Sequence, residues 1–294
     1  MRQTHATIAI IGGTGFYAID GITNVEAVEI DTPCGKPSDA FVLGELHGVA
    51  VAFVPRHGAG HRILPSELPQ RANIWALASL GVERIISVSA VGSLKPEIEP
   101  LHMVVPNQLI DRTRGRPSTF FGEGVVAHIA FDEPYCAETR AIVCEAAAGS
   151  GVTSHESGTL VVIEGPAFST RAESRLYQSW GADVIGMTAL PEAKLAREAG
   201  ICYATLACVT DYDTWHEGHD TVTAEMIVAN LRKNVEHAKR IVSEAVRMLP
   251  RQRSCACGSS LASAMVTPFE AIPEGRRRQL EPIIARYPQA EAAR

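Results

Sequence analysis

The sequence predicts an α/β fold: a single domain with a mixed central β-sheet flanked by helices. Three observations carry this. Short apolar runs alternate with helical patterns from roughly residue 6 to residue 250. Two apolar runs either side of His47-Gly48 read as a hairpin, which adds antiparallel pairing to a βα pattern. The runs end in glycine, hydroxyl, His/Arg, Met or Asp residues, as at the ligand-holding rim of an open sheet. The chain of 294 residues is long enough for one large domain with a sizeable core. Residues 1–250 form that domain. Residues 251–294, where the composition shifts, read as a C-terminal appendage packing on the domain or on the oligomer.

Composition narrows the function. With 46% apolar and 20% charged residues, the body can bury enough surface to fold. A net charge of −6 offers no basic field for nucleic acid or an anionic membrane. Seven cysteines in a chain this long do not make a secreted disulfide scaffold. The start, Met1–His5, is polar and lacks the pattern of a signal peptide. No apolar run approaches the ~20 residues of a membrane span. The expected location is the cytoplasm.

Ala6–Ile11 reads as a strand, followed by Gly12-Gly13-Thr14-Gly15. Glycine N–H groups and the Thr14 hydroxyl suit an anion there. The same residues half-match a dinucleotide fingerprint, but Asp20-Gly21 and Thr23-Asn24 leave no room for its crossover helix. A plain tight turn is the third reading. The hairpin over Ala40–Val54 ends at Pro55-Arg56-His57-Gly58, where a guanidinium and an imidazole suit an oxyanion. His57 and His61 lie on a glycine-broken loop without a third ligand, so no metal site is expected.

Pro69–Leu80 is a helix, with Pro in its first turn and Gly81 as its stop. Arg84–Val91 is a strand that opens into Ser89-Ala90-Val91-Gly92-Ser93, and Val104–Ile110 is another. Residues 111–133 read as a long irregular loop, a length that points to function or an interface. Helices follow over Ala137–Ala148 and Thr170–Trp180, with Thr170 as a cap. Strands over Gly158–Glu164 and Ala182–Gly186 end at Gly165-Pro166-Ala167-Phe168-Ser169 and Met187-Thr188. A helix begins at Pro191 and closes at Gly200. The longest helix, Thr223–Leu249, buries one face through residues such as Ile227, Leu231, Val235 and Val242.

The strand from Cys202 ends in Thr210-Asp211-Tyr212-Asp213. Two acids at a strand end can protonate a leaving group or accept from an amine. Two solvated loop acids are the plainer alternative. Six such strand ends together suggest one rim, with anion-binding groups at Thr14, Arg56, His57, Ser89 and Thr188 and a carboxylate pair some distance away. There is no serine elbow, metal motif or kinase signature. The pattern fits an anion that is itself the nucleophile.

Several of these stretches resemble the methylthioadenosine phosphorylases of the purine nucleoside phosphorylase superfamily. They include Ile10-Ile11-Gly12-Gly13-Thr14-Gly15, Asp31-Thr32-Pro33-x-Gly35-Lys36-Pro37-Ser38-Asp39, Arg56-His57-Gly58 and Ala72-Asn73-Ile74-Trp75-Ala76-Leu77. Further matches are Ile163-Glu164-Gly165-Pro166-x-Phe168-Ser169, Trp180-Gly181-Ala182-Asp183-Val184-Ile185, Met187-Thr188 and Thr210-Asp211-Tyr212-Asp213-x-Trp215. The resemblance covers roughly residues 6 to 250 and implies a fold like that of purine nucleoside phosphorylase.

The resemblance implies attack of phosphate on C1′ of 5′-methylthioadenosine, giving adenine and 5-methylthioribose 1-phosphate. Inorganic phosphate is then a co-substrate, and no cofactor or metal is expected. The implied phosphate site is Thr14, Arg56, His57, Ser89, Ala90 and Thr188. Met187 would lie under the ribose, with Phe168 and Ser169 among the substrate-binding residues. Asp211 would assist at purine N7, and Asp213 would accept from the 6-amino group. Relatives acting on 6-oxopurines carry glutamate at Ser169 and asparagine at Asp211, so adenine is favoured. They carry a histidine at Ala224, where an apolar residue suits a methylthio group. The family is trimeric, with His128 implied to reach the neighbouring subunit's 5′ pocket; pairing of trimers into hexamers stays open. Cys255-x-Cys257 resembles a CxC pair of some microbial members, with two unbonded thiols as the alternative. The rivals are a methylthioinosine or general purine nucleoside phosphorylase, a non-catalytic nucleotide- or phosphate-binding regulator and an NAD-linked enzyme.

Overall fold

The structure, a computed structural model, describes residues 5–13, 19–216 and 224–285. Among these residues the apolar runs form one mixed sheet of eleven strands. The chain opens with β1 (Ile8–Gly12), β2 (Thr23–Val28), β3 (Phe41–Leu46) and β4 (Val49–Pro55). Strands β3 and β4 are the expected hairpin, and its turn places His47 and Gly48 at φ 52° and 74°. Positive φ at both turn residues matches the right-handed twist of the flanking strands.

Next come α1 (Gln70–Ser79), β5 (Arg84–Ser93), β6 (Met103–Val104) and β7 (Gln108–Arg112). They are followed by α2 (Ala137–Ala148), β8 (Ser154–His155), β9 (Thr159–Ile163), α3 (Arg171–Ser179) and β10 (Val184–Gly186). The body ends with α4 (Ala189–Glu198), β11 (Cys202–Tyr212) and α5 (Ala224–Met248). Thr170 caps α3 as expected: its side chain accepts from Glu173 N–H, and Glu173 reaches back to the Thr170 backbone. In α4, Leu190 is extended, so the regular turns start at Pro191.

One expected strand is two. Val104–Ile110 divides into β6 and β7 around Pro106. Proline has no N–H to give to a ladder. At this break the chain leaves β11, its partner at Met103–Val104, and joins β9 from Gln108.

The sheet is organised around β5. Its first residues, Arg84–Ser87, pair in parallel with β1. Its last, Gly92 and Ser93, pair antiparallel with β10. Along its other edge β11 accompanies it throughout. Between Ser87 and Gly92 the β1-side edge of β5 therefore has no strand beside it among the described residues. The rim expected from the sequence is this junction, with β10 entering antiparallel. Ala90 is the exposed residue in an otherwise mostly buried strand.

Helices cover both faces. One apolar cluster joins α1 and α4 to the sheet through Ile74, Leu77, Leu195 and Tyr203. The other joins α2 and α5 through Val143, Ala147, Ile241 and Val242. The short C-terminal helices α6 (Glu274–Gln279) and α7 (Glu281–Ile284) bury Leu280, Ile283 and Ile284 in the first cluster. Trp75 Nε1 donates to the Gln279 carbonyl at 2.7 Å, tying this tail to α1.

Candidate active site

A cavity of about 570 Å³ opens beside the unpaired stretch of β5, within the usual size of a small-ligand pocket. Its lining comes from the ends of β1, β4, β9, β10 and β11 and from one face of α5. Arg56, His57, Ser89, Ala90, Phe168, Ser169, Met187, Thr188, Asp211 and Asp213 all line it. The fold thus brings together ten residues that are up to 157 positions apart in sequence (Arg56 to Asp213). Thr14 lies outside the described residues, although its neighbour Gly13 reaches the cavity. Ala224 begins α5, but its side chain is not described. His128 is exposed and is not on the cavity wall; its N–H donates to the Ala264 carbonyl at 2.8 Å.

One end of the cavity is built for an anion. Ser89 Oγ lies 3.1 Å from Thr188 Oγ1. Successive residues of a strand point their backbone groups to opposite edges. The Val88 carbonyl is taken by Arg56 on the open edge, so the Ala90 N–H faces the same way. Arg56 is 2% exposed and is not a bare cation. Its Nε lies 3.0 Å from Glu192 Oε2, and its Nη2 lies 3.1 Å from Oε1 and 2.6 Å from Ser87 Oγ. Ser87 and Tyr203 hydroxyls each donate to Glu192 Oε1 at 2.8 Å. Burial works against the Arg56 charge, but the Glu192 carboxylate outweighs it and holds the guanidinium protonated.

His57 is neutral near pH 7. Burial pushes its pKa down to about 4. Its Nδ1 lies 2.8 Å from the Ile63 carbonyl, which fixes Nδ1 as the donor. Nε2 is then an acceptor, suited to the proton of a partly protonated oxyanion.

The other end carries the carboxylates. Asp211 and Asp213 are 6% and 5% exposed. In a regular strand, residues 208 and 210 would face away from 211 and 213, yet all four line the cavity. A bulge explains this. Val209 pairs with Val91 and Asp211 with Gly92, which leaves Thr210 as an extra residue. Two asparagines of α5 hold the bulge: Asn230 donates to the Thr210 carbonyl at 2.7 Å, and Asn234 to the Val209 carbonyl at 2.8 Å. Thr210 Oγ1 lies 2.7 Å from Asp211 Oδ2.

Burial, with a smaller contribution from Asp213, raises the Asp211 pKa to about 6. Burial also raises that of Asp213. Asp213 Oδ2 and Ser169 Oγ are buried without a hydrogen-bond partner among the described residues. Polar atoms left so are costly unless a ligand completes them. Packing is tight at Gly92: a Cβ there would stand 3.0 Å from Asp211 Oδ1 and 3.2 Å from Ile185 Cγ2, so these neighbours would have to give way.

Met187 also lines the cavity. Arg116, whose side chain is 4% exposed, fixes that residue, with Nη1 donating to the carbonyls of Met187 and Leu190 at 2.7 and 2.8 Å and Nε paired to Glu164. Glu192, Arg116, Asn230 and Asn234 were missed by sequence reasoning. Glu192 left a signal, as an acid among Ala189, Ala193 and Ala196 on the apolar side of α4. The two asparagines also left one, since their i, i+4 spacing puts them on one face of α5.

Residues 7–247 match the model of the phosphorylase superfamily. An S-methyl-5′-thioadenosine phosphorylase of Koribacter versatilis is 56% identical over 282 residues, covering 96% of this chain and 97% of that protein. The crystal structure of a methylthioadenosine phosphorylase from an antarctic soil metagenomic library superposes with a TM-score of 0.92 at 49% identity, over 96% of this chain and 99% of that one. A mutant adenosine/methylthioadenosine phosphorylase of Schistosoma mansoni, solved in complex with methylthioadenosine, gives a TM-score of 0.82 at 38% identity, over 89% and 99% of the chains. The chain belongs to the S-methyl-5′-thioadenosine phosphorylase family of the phosphorylase superfamily.

Proposed function

We propose that this chain cleaves 5′-methylthioadenosine with inorganic phosphate, releasing adenine and 5-methylthioribose 1-phosphate. The observation that carries this reading is one cavity with an oxyanion-suited end at Ser89, Ala90 and Thr188 and a buried carboxylate pair at Asp211 and Asp213. A phosphate oxygen attacks C1′ as the C1′–N9 bond breaks, and the bonding electrons pass to the purine. Phosphate is held by Arg56, His57, Ser89, Ala90 and Thr188, with Thr14 of the glycine-rich stretch joining them; its negative charge stabilises the cationic ribosyl group between. Orientation over Met187 supplies much of the rest. Asp211, protonated below a pKa of about 6, gives its proton to N7 of the leaving base. Asp213 accepts from the 6-amino group, and Phe168 and Ser169 complete the base side.

No cofactor or metal takes part in this chemistry. Among the described residues no helix is long and apolar enough to cross a membrane. We place the reaction in the cytoplasm, in purine and methionine salvage. The working form in this reading is a homotrimer, in which the exposed His128 serves the neighbouring subunit's 5′ pocket and Ala224 lies by the methylthio group.

Phosphate-dependent release of adenine from methylthioadenosine tests the proposal, with methylthioinosine and adenosine in parallel. Release from methylthioadenosine that stops when phosphate is withheld is the expected result. Faster release from methylthioinosine would overturn the base assignment. No phosphate-dependent release from any of the three would overturn the reaction.

A further inference from the structure

Far along the sequence from each other, four cysteines meet in space. Cys136 stands at the N-cap of α2, Cys202 begins β11, and Cys255 and Cys257 lie in the tail. Their four Sγ atoms all lie within 4.8 Å of one another. Cys202 and Cys255 Sγ are 3.2 Å apart, and all four residues are free thiols. Four sulfurs at the corners of a tetrahedron about 2.3 Å from a central zinc stand about 3.8 Å from each other. The observed separations, 3.2 Å for Cys202 and Cys255 and no more than 4.8 Å for any pair, bracket that value.

The surroundings suit a closed thiolate site. Cys136 and Cys202 are buried, and Cys255 and Cys257 are half-buried. Thr139 N–H donates to Cys136 Sγ at 3.5 Å, and the first turn of α2 favours negative charge at the same atom. Arg84, the ladder partner of Cys202, is almost fully buried and is paired to Glu138 at 3.1 Å, so the same carboxylate ties the start of β5 to α2. Hydrogen bonds on either side hold the CxC segment in place. Arg253 donates to the Gly200 carbonyl at 2.7 Å, Ser254 N–H donates to Glu138 Oε2 at 2.8 Å, and Ser260 Oγ donates to the Arg197 carbonyl at 2.6 Å. The cysteines of the body and the tail are thus presented to one another by backbone that is already fixed.

We propose that Cys136, Cys202, Cys255 and Cys257 form a structural site for a thiophilic divalent ion, zinc in the first instance, that pins the C-terminal tail to the start of β11 and of α2. Binding replaces the thiol protons, which pass to solvent, by four sulfur–metal bonds; no oxidant or reductant is needed. With all four positions filled by protein, the ion has no open coordination site, and its role is to hold the tail rather than to act on substrate.

The test uses the full chain, expressed with added zinc and purified under reductant without chelator. Elemental analysis should find about one zinc per chain. Cobalt(II) in its place should give the intense thiolate-to-metal charge-transfer and tetrahedral ligand-field bands of a four-sulfur site. A Cys255→Ser/Cys257→Ser double variant should lose at least about nine-tenths of the metal and cleave faster in the tail under limited proteolysis, while Cys34→Ser keeps both properties. If the double variant fails to fold, stripping the parent protein with a chelator gives the same reading: the tail becomes sensitive and added zinc restores it. Full-length protein with seven free thiols and no bound zinc would overturn the proposal. So would a non-reduced mass lower by two or four hydrogens with disulfides mapped to these cysteines, or zinc retained by the double variant.

Discussion

Asn234, on α5, donates to the Val209 carbonyl at 2.8 Å, one residue before the bulge that turns Asp211 into the cavity. Asn234 is wholly buried, so its amide meets an acceptor that has no water to fall back on. Replacement by leucine keeps the approximate volume and removes one of two donors to that carbonyl, which keeps the Leu101 N–H at 2.8 Å, at a cost of about 0.5–1.5 kcal/mol. Asn234→Leu should lower kcat by about tenfold while the phosphate KM stays close to its parent value, because the anion end does not touch the bulge. Steady-state kinetics with each substrate varied would check this. An equal rise in both KM values with kcat intact would count against the bulge as the device that aims Asp211.

Asp211 sets activity against stability. Its folded pKa, raised to about 6 by burial, lies above the ordinary 3.8. A proton is therefore bound more tightly in the folded than in the unfolded chain. The resulting stability is complete below about pH 4 and is lost as pH rises through about 6, a difference of roughly 3 kcal/mol. Asp211→Asn should flatten this slope, so that Tm measured at pH 8 moves toward the value at pH 5. The same variant should lose about a hundredfold or more in kcat, the usual worth of a positioned acid. In the parent enzyme kcat/KM should fall as pH rises past about 6. Unchanged slopes of both Tm and kcat/KM would refute the assignment.

Glu192 and Arg56 form a buried ion pair at 3.0 Å with 2% of each side chain exposed. Removing one partner from such a pair costs about 3–5 kcal/mol because the other charge stays behind unpaired. Glu192→Ala should therefore unfold at markedly lower urea concentration. Phosphate should restore more of the lost Tm in the variant than it adds to the parent, since the anion then supplies the missing negative charge. A phosphate-induced rise in Tm that is no larger in the variant would separate Arg56 from the phosphate site.

Gly92 packs against both carboxylate residues, with a Cβ there falling 3.4 Å from Asp213 Cβ. Alanine there brings a Cβ to 3.0 Å from Asp211 Oδ1. Asp211 is held by Thr210 and the bulge, so it has little room to retreat. Gly92→Ala should cost about 1–3 kcal/mol in stability as overpacking. It should also reduce kcat/KM for the nucleoside by about tenfold or more, and a crystal structure of the variant should show Asp211 displaced. Unaltered kinetics would mean that the carboxylate's position matters less than its charge.

Most of the architecture could be read from local pattern, because apolar runs and helix stops act within a few residues of themselves. The hairpin at His47-Gly48, the Thr170 cap and the strand ending in Asp211 and Asp213 are of this kind. The features that escaped depend on distant partners. A strand shows no sign of a bulge at Thr210 until its register against β5 is known. Glu192 reads as an ordinary helix acid until Arg56 is found buried 136 residues away in sequence. Cys136 and Cys202 have no metal-ligand spacing between them, and only the return of the tail brings Cys255 and Cys257 to them. Val104–Ile110 misled in the opposite direction: apolar character outweighed the interruption that Pro106 imposes.

The hairpin turn sits at the opposite end of β4 from Arg56. Seven residues of strand lie between Gly48 and Arg56, a span of about 25 Å. Both turn residues already adopt left-handed backbone at the molecular surface. Foreign peptide spliced between them would hang away from the catalytic cavity, making this turn a port for affinity handles, fluorophores or surface tethers on a working enzyme.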